Sequence, residues 1–250
     1  MPIVEKYGSY ESQAGDLYLP RQKAQGTICL FHGGFWKMPY DRFQMNDISN
    51  DLAALGFVVW NIEYRRIGEA GGGWKGTFDD AVSAINHLDI LKSRYPQIDI
   101  DRVFVAGHSA GGHLAIWSSA NNLAFRPKRF VGLAPVLDLR AAFAAKSGND
   151  SVRQLIGGSP EEFPQRFAAA SPIEMLPFCI SQTIFQGTED DDVLKEWNRH
   201  YVAEAEKKGQ RIEYIEIEDC GHMEFLDPLS KAFEAFRGWL IEQVTNFSGG

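Results

Sequence analysis

The chain is short of cysteine, of long apolar runs and of blocks of basic charge, and each shortage closes off a class of protein. Three cysteines, Cys29, Cys179 and Cys220, among 250 residues give neither a disulfide framework nor a Cys-x-x-Cys metal pair. No apolar stretch approaches the ~20 residues needed to span a bilayer. Met1-Pro2-Ile3-Val4-Glu5-Lys6 lacks a basic region followed by an apolar one, so no signal peptide is visible. The expectation is a soluble cytoplasmic protein, although a chain whose signal had been removed would read the same. The net charge is −8, without Lys/Arg blocks, which argues against nucleic acid or an anionic membrane as partner. No His/Asp/Glu group has metal-ligand spacing and no G-x-x-x-x-G-K-[ST] is present, so neither a metal nor a cofactor is expected. The final Ser248-Gly249-Gly250 reads as a frayed tail. Oligomeric state is not legible, and a homodimer stays open.

What is present is an ordinary globular composition, 44% hydrophobic and 23% charged, at a length that suits one α/β domain over 1–250. Strand-like runs alternate with helical ones. Strands are expected at Asp16–Leu19, Thr27–His32, Phe57–Tyr64, Val103–His108, Arg129–Leu137, Thr183–Gln186 and Arg211–Ile217. Helices are expected near Arg42–Leu55, Thr77–Tyr95, Asp192–Lys208 and Pro228–Val244. Thr77 followed by Asp80 reads as a variant capping box. This alternation implies βαβ units and a mostly parallel sheet covered on both faces. From about 138 to 177 the rhythm breaks at Gly148, Gly157-Gly158-Ser159-Pro160, Pro164 and Ser171-Pro172, which reads as a small cap inserted over the sheet edge.

The strand Val103-Phe104-Val105-Ala106 breaks straight into Gly107-His108-Ser109-Ala110-Gly111, with the helix-like Gly112-His113-Leu114-Ala115-Ile116-Trp117 behind it. Strand, G-x-S-x-G and helix in that order form the nucleophile elbow, a turn so tight that the serine backbone is strained and small residues must flank it. The bland reading is a Gly-rich helix start with a serine N-cap.

Active sites of open parallel sheets lie beyond the carboxyl ends of the strands. Four such ends carry chemistry: His32-Gly33-Gly34-Phe35-Trp36, Ser109, Gly187-Thr188-Glu189-Asp190, and Asp219-Cys220-Gly221-His222. A serine hydroxyl needs a base, and His222 is the best candidate; the imidazole needs an acid, for which Asp190 leads. Glu189, Asp191 and Asp192 compete with it, and Asp138 is a weaker substitute; all could equally be solvated charges at a helix start. The N–H groups of Ala110, Gly33 and Gly34 are candidate oxyanion donors. Cys220 is a rival nucleophile with no supporting motif. Phe35 and Trp36 are expected to line the substrate pocket or simply to pack. His32, His108 and His113 read as structural, His87 and His200 as surface residues, and Glu63-Tyr64-Arg65-Arg66 as an ion-pair segment beneath the site.

Those four motifs, in that order, resemble the α/β-hydrolase superfamily, and within it the hormone-sensitive-lipase-like and prolyl-oligopeptidase-like esterases. The resemblance covers about Asp16 to Leu240. It implies an α/β fold with an eight-stranded, mostly parallel sheet and a serine esterase acting on small esters through Ser109, Asp190 and His222. Many such esterases have a third glycine where this chain has Phe35. His-Gly-Gly-aromatic-Trp with a Gly-His-Ser-Ala-Gly elbow is similar instead to kynurenine formamidase (arylformamidase), which makes an N-formylkynurenine-type amide the alternative substrate. A peptidase would carry an extra domain or a basic site for the peptide terminus, and neither is apparent. A non-catalytic binding protein on this fold would lack a triad member, and all candidates are present. The short N-terminus leaves no room for a helical lid, which argues against long-chain triglycerides.

Overall fold

The computed structural model describes residues 1–246, so the terminal Ser248-Gly249-Gly250 lies outside the described residues. The strands are β1 (Ile3–Lys6), β2 (Ala14–Tyr18), β3 (Gly26–Phe31), β4 (Phe57–Ile62), β5 (Val103–His108), β6 (Arg129–Leu133), β7 (Gln182–Gly187) and β8 (Glu213–Ile217). They form one sheet in the order β1-β2-β4-β3-β5-β6-β7-β8. Only the β1–β2 and β2–β4 pairs are antiparallel; every other pair is parallel. The eight-stranded, mostly parallel α/β sheet is as expected.

The strand runs are almost continuously apolar because both faces are covered. Alternate residues serve opposite cores. Cys29 and Phe31 of β3, Val58 and Trp60 of β4, and Val103 and Val105 of β5 join one cluster. Ile28, Leu30, Phe57, Val59, Phe104 and Ala106 join the other. Helices α1 (Asn46–Ala54) and α10 (Lys231–Asn246) cover the second cluster through Ile48, Leu52, Phe233, Phe236 and Leu240. Helices α2 (Gly76–Asn86), α3 (Leu88–Leu91), α4 (Ala110–Ser118) and α9 (Lys195–Lys207) cover the first. Every residue of α4 is buried, which explains its lack of a polar face.

Between β6 and β7 the chain forms α5 (Leu139–Ala144), α6 (Ser147–Ile156), α7 (Pro164–Ala170) and α8 (Pro172–Met175). Gly and Pro punctuation keeps each of them short.

Several expected elements differ. The segment 77–95 is not one helix: Gly76–Asn86 and Leu88–Leu91 are separate, with a tightened turn at His87, whose N–H reaches both Ser83 and Ile85. Thr77 and Asp80 do not cap it. Thr77 Oγ1 accepts from Gly73 N at 3.0 Å and Asp80 binds Arg65 at 2.7 Å, so both serve the preceding loop. β6 stops at Leu133 rather than Leu137 because Ala134 takes a left-handed φ of 47° and Pro135 has no N–H to extend the ladder. Residues 42–45 are a 3-10 turn capped by Asp41 before α1 begins. Strand β1 was not expected, since its residues are mostly exposed and no apolar run marks it.

Candidate active site

Ser109 is the single residue between the end of β5 and the start of α4. Its φ of 55° and ψ of −117° lie outside the regions open to L-residues, a strain of about 1–3 kcal/mol that the surroundings must hold. Its N–H donates to Leu133 O at 2.9 Å, and its carbonyl accepts from His113 N at 3.0 Å. The flanking glycines are sterically required. A Cβ on Gly107 would strike the Gly111 carbonyl, and one on Gly111 would strike the carbonyls of Phe31 and His32. The turn is therefore tight in geometry as well as in pattern.

Asp190 follows β7 and is 5% exposed. Oδ1 accepts from Asp192 N at 3.0 Å and Val193 N at 2.8 Å. Oδ2 accepts from His222 Nδ1 at 2.8 Å and Gln186 Nε2 at 3.1 Å. The competing carboxylates are elsewhere. Glu189, Asp191 and Asp192 are exposed, and Asp138 caps α5 through Arg140 N and Ala141 N. Because Asp190 is an acceptor, His222 holds its proton on Nδ1 and leaves Nε2 as a bare lone pair. Among the described residues Ser109 Oγ is not hydrogen-bonded to His222; such contacts commonly tighten only when substrate is bound. His108 links the two, its ring tilted against that of His222 with centroids 4.5 Å apart.

The loop after β3 completes the rim. Gly34, Phe35 and Trp36 all have left-handed φ, 95°, 56° and 56°. A Cβ on Gly33 would lie 2.9 Å from His108 Nδ1 and 3.2 Å from Ser109 Cβ, so the Gly33 backbone lies directly against the elbow. The N–H groups of Gly33 and Gly34 have no backbone partner among the described residues. Ala110 N–H opens α4, where a helix has no internal acceptor to offer.

Beneath this loop His32 Nε2 meets Glu63 Oε1 at 2.7 Å. Tyr64 stacks on His32 at 4.3 Å and donates to its carbonyl at 2.9 Å. Burial pushes the Glu63 carboxyl up, but His32, Arg66 and the Arg42 N–H outweigh it and hold Glu63 below the ordinary carboxylate value. The ion-pair segment is present and buried.

Trp36 does not line a pocket. It is 1% exposed and donates to His113 Nδ1 at 3.1 Å, while His113 Nε2 donates to Ala170 O at 2.8 Å. Burial lowers His113 to about 4, so this bridge stays neutral. Phe35 is half-buried, edge-on to Tyr40 at 6.2 Å and close to Gly148 of the inserted helices. Cys220 is fully buried; burial and Glu224 push its thiol up to about 11, far from a reactive thiolate. His87 is half-buried against Trp60, and His200 is exposed. Among the described residues no three His, Cys, Asp or Glu side chains are grouped to hold a metal, and no helix is long and apolar enough to cross a membrane.

Sequence reading missed Gln186 and Asn198, which are fully buried behind Asp190. A glutamine in an apolar strand, four residues before the acid, was the available signal.

The BD-FAE family model matches residues 16–201. The chain belongs to the BD-FAE family. With that family and this fold it is an α/β-hydrolase of the esterase type. It is similar to kynurenine formamidase of Danio rerio, 21% identical over 236 residues that cover 89% of this chain and 75% of that one. It is also similar to the probable isoprenylcysteine alpha-carbonyl methylesterase ICMEL1 of Arabidopsis thaliana, at 24% identity over 89% of this chain. The chain spans about half the length of that protein, 51%. Among solved structures, a truncated carbohydrate esterase from gut microbiota superimposes with a TM-score of 0.81 at 22% identity, covering 97% of this chain and 95% of that one. Propionate-bound esterase Est2 of Thermogutta terrifontis gives 0.76 at 21% identity, over 98% and 94%.

Proposed function

We propose that the protein hydrolyses small carboxylic esters through an acyl-enzyme on Ser109. His222 Nε2 takes the Ser109 proton as Oγ attacks the acyl carbon. Asp190 holds the His222 tautomer and stabilises the imidazolium as it forms. The carbonyl oxygen becomes an oxyanion that the N–H groups of Gly33, Gly34 and Ala110 receive. The alcohol leaves with the proton from His222. Water, deprotonated by His222, then attacks the acyl carbon; the acid departs and Ser109 recovers its proton.

The observation that carries the reading is the 2.8 Å Asp190–His222 bond on the same strand-end rim as the strained Ser109. The names of relatives agree in kind: methylesterase and carboxylesterase. In our reading the inserted helices cap a single α/β domain and wall one side of the acyl site. Lys37 Nζ donates to Gly148 O at 2.8 Å and Trp74 N to Leu155 O at 2.7 Å, tying that cap to the loops beside the site.

A second reading, an arylformamidase, rests on Phe35 in place of a third glycine and on the formamidase relative. Rates with p-nitrophenyl acetate, p-nitrophenyl octanoate and N-formylkynurenine separate the two. The ester reading expects acetate turnover with octanoate slower. A kcat/KM advantage above ~10³ for N-formylkynurenine would reverse it, since that ratio measures transition-state discrimination.

A further inference from the structure

We propose that Gln186, braced by Asn198, is a positioning residue that sets how much negative charge Asp190 presents to His222. The proposal rests on the triad reading above and adds a regulator of its base.

Three acceptors surround one end of the Gln186 amide: Asp190 Oδ2 at 3.1 Å, Val193 O at 3.0 Å and Gly187 O at 3.2 Å. Only an NH2 group is satisfied there, so the amide orientation is fixed by its surroundings. At the other end Asn198 Nδ2 donates to Gln186 Oε1 at 2.7 Å. Gln186 and Asn198 are both completely buried. Asn198 Oδ1 has no partner, so among the described residues the bond to Gln186 is the one side-chain bond its amide makes. A buried amide left half-satisfied costs stability. Its one side-chain bond is the one that holds Gln186.

Gln186 Nε2 and His222 Nδ1 share the same carboxylate oxygen. A donor on that oxygen spreads its charge and weakens its hold on the imidazolium. Without Gln186, Oδ2 serves His222 alone, the imidazolium is held more tightly, and His222 becomes more basic. Asn198 acts one step further out, since donation to Oε1 polarises the amide and strengthens its N–H groups.

The other ionisable groups around His222 are left untouched by changes at these two positions. They are His108, tilted against its ring, Glu224 bound to Gly221 N at 2.9 Å, and Asp219 at 4.0 Å from Lys231. On the acid's own segment lie Lys195, bound to Thr188 O at 2.8 Å, and the exposed Glu189, Asp191 and Asp192.

The test is the acid limb of the kcat/KM–pH profile for p-nitrophenyl acetate, which reports the free-enzyme base, with melting temperature as the control for folding. Gln186→Met is expected to move the limb upward by about half a pH unit and lower kcat, with KM little changed. Asn198→Ala, which does not touch Asp190, is expected to give a smaller shift in the same direction. A limb that stays in place or moves downward in folded variants overturns the proposal, even if activity falls. Should Gln186→Met fail to fold, Asn198→Ala decides alone. If Ser109→Ala keeps its activity, the triad reading fails first; if Ser109 is required while the limb stays fixed, only the role of Gln186 fails.

Discussion

His108 donates its Nε2–H to the carbonyl oxygen of His222 at 2.9 Å while its ring lies 4.5 Å from the His222 ring. Nδ1 of the same ring is buried without a partner and faces Gly33. One side chain thus touches the His222 loop and the Gly33 loop, and it immediately precedes Ser109. Burial, reinforced by His222, holds His108 well below the ordinary histidine value. It therefore stays neutral, and adds no second positive charge beside His222. His108→Phe keeps the ring and loses the donor. Steady-state kinetics should show kcat down about 3- to 10-fold, the worth of one hydrogen bond, with KM within about twofold. Wild-type kcat in this variant contradicts the role.

Glu63 makes a pH-dependent contribution to stability. Its carboxyl is held below the ordinary value of 4.5, so the unfolded chain takes up that proton before the folded one. The contribution is complete above about pH 5 and is lost as pH falls through the lowered value. Urea unfolding of Glu63→Gln should show a loss of about 2–3 kcal/mol at pH 7, with the gap to wild type narrowing as the pH drops below that range. A gap that stays constant down to the acid transition contradicts this.

The cysteines should be irrelevant to turnover. Cys179 is exposed and Cys29 and Cys220 are buried, with the Cys220 thiol pushed up to about 11. Iodoacetamide at neutral pH should label Cys179 alone by peptide mass mapping and leave ester hydrolysis intact. Inactivation that tracks labelling of Cys220 would revive a thiol nucleophile.

Gly111→Ala probes the elbow itself. The added methyl meets two backbone carbonyls, those of Phe31 and His32, and neither can swing aside. Thermal unfolding should reveal a loss of about 3 kcal/mol or more, or no folded protein, as overpacking against a rigid neighbour requires. A wild-type melting temperature contradicts the strained-turn account.

The central strands were legible because a run such as Phe57–Ile62, buried on both faces, stays apolar throughout. Ser109 and His222 were legible because a tight turn and a strand-end loop demand small residues in fixed places. Asp190 led the four neighbouring carboxylates in the sequence, but only the turn after β7 sets it apart from Glu189, Asp191 and Asp192 by placing it on His222. Trp36 was misread for a related reason. Its left-handed φ of 56° sends the indole inward to His113, and no composition rule foretells that. Strand β1, exposed and short, left no periodic trace, and Thr77 and Asp80 matched a cap pattern while bonding to the loop before it. Gln186 and Asn198 lie 12 residues apart in the chain and meet only when α9 packs on β7.

The central claim, that Ser109 is the nucleophile, is tested most directly by the p-nitrophenyl acetate rate of Ser109→Ala at unchanged melting temperature. The account predicts a fall in kcat of at least about 10³-fold, with any residue of activity due to binding and the oxyanion donors alone. Turnover at the wild-type rate would contradict it.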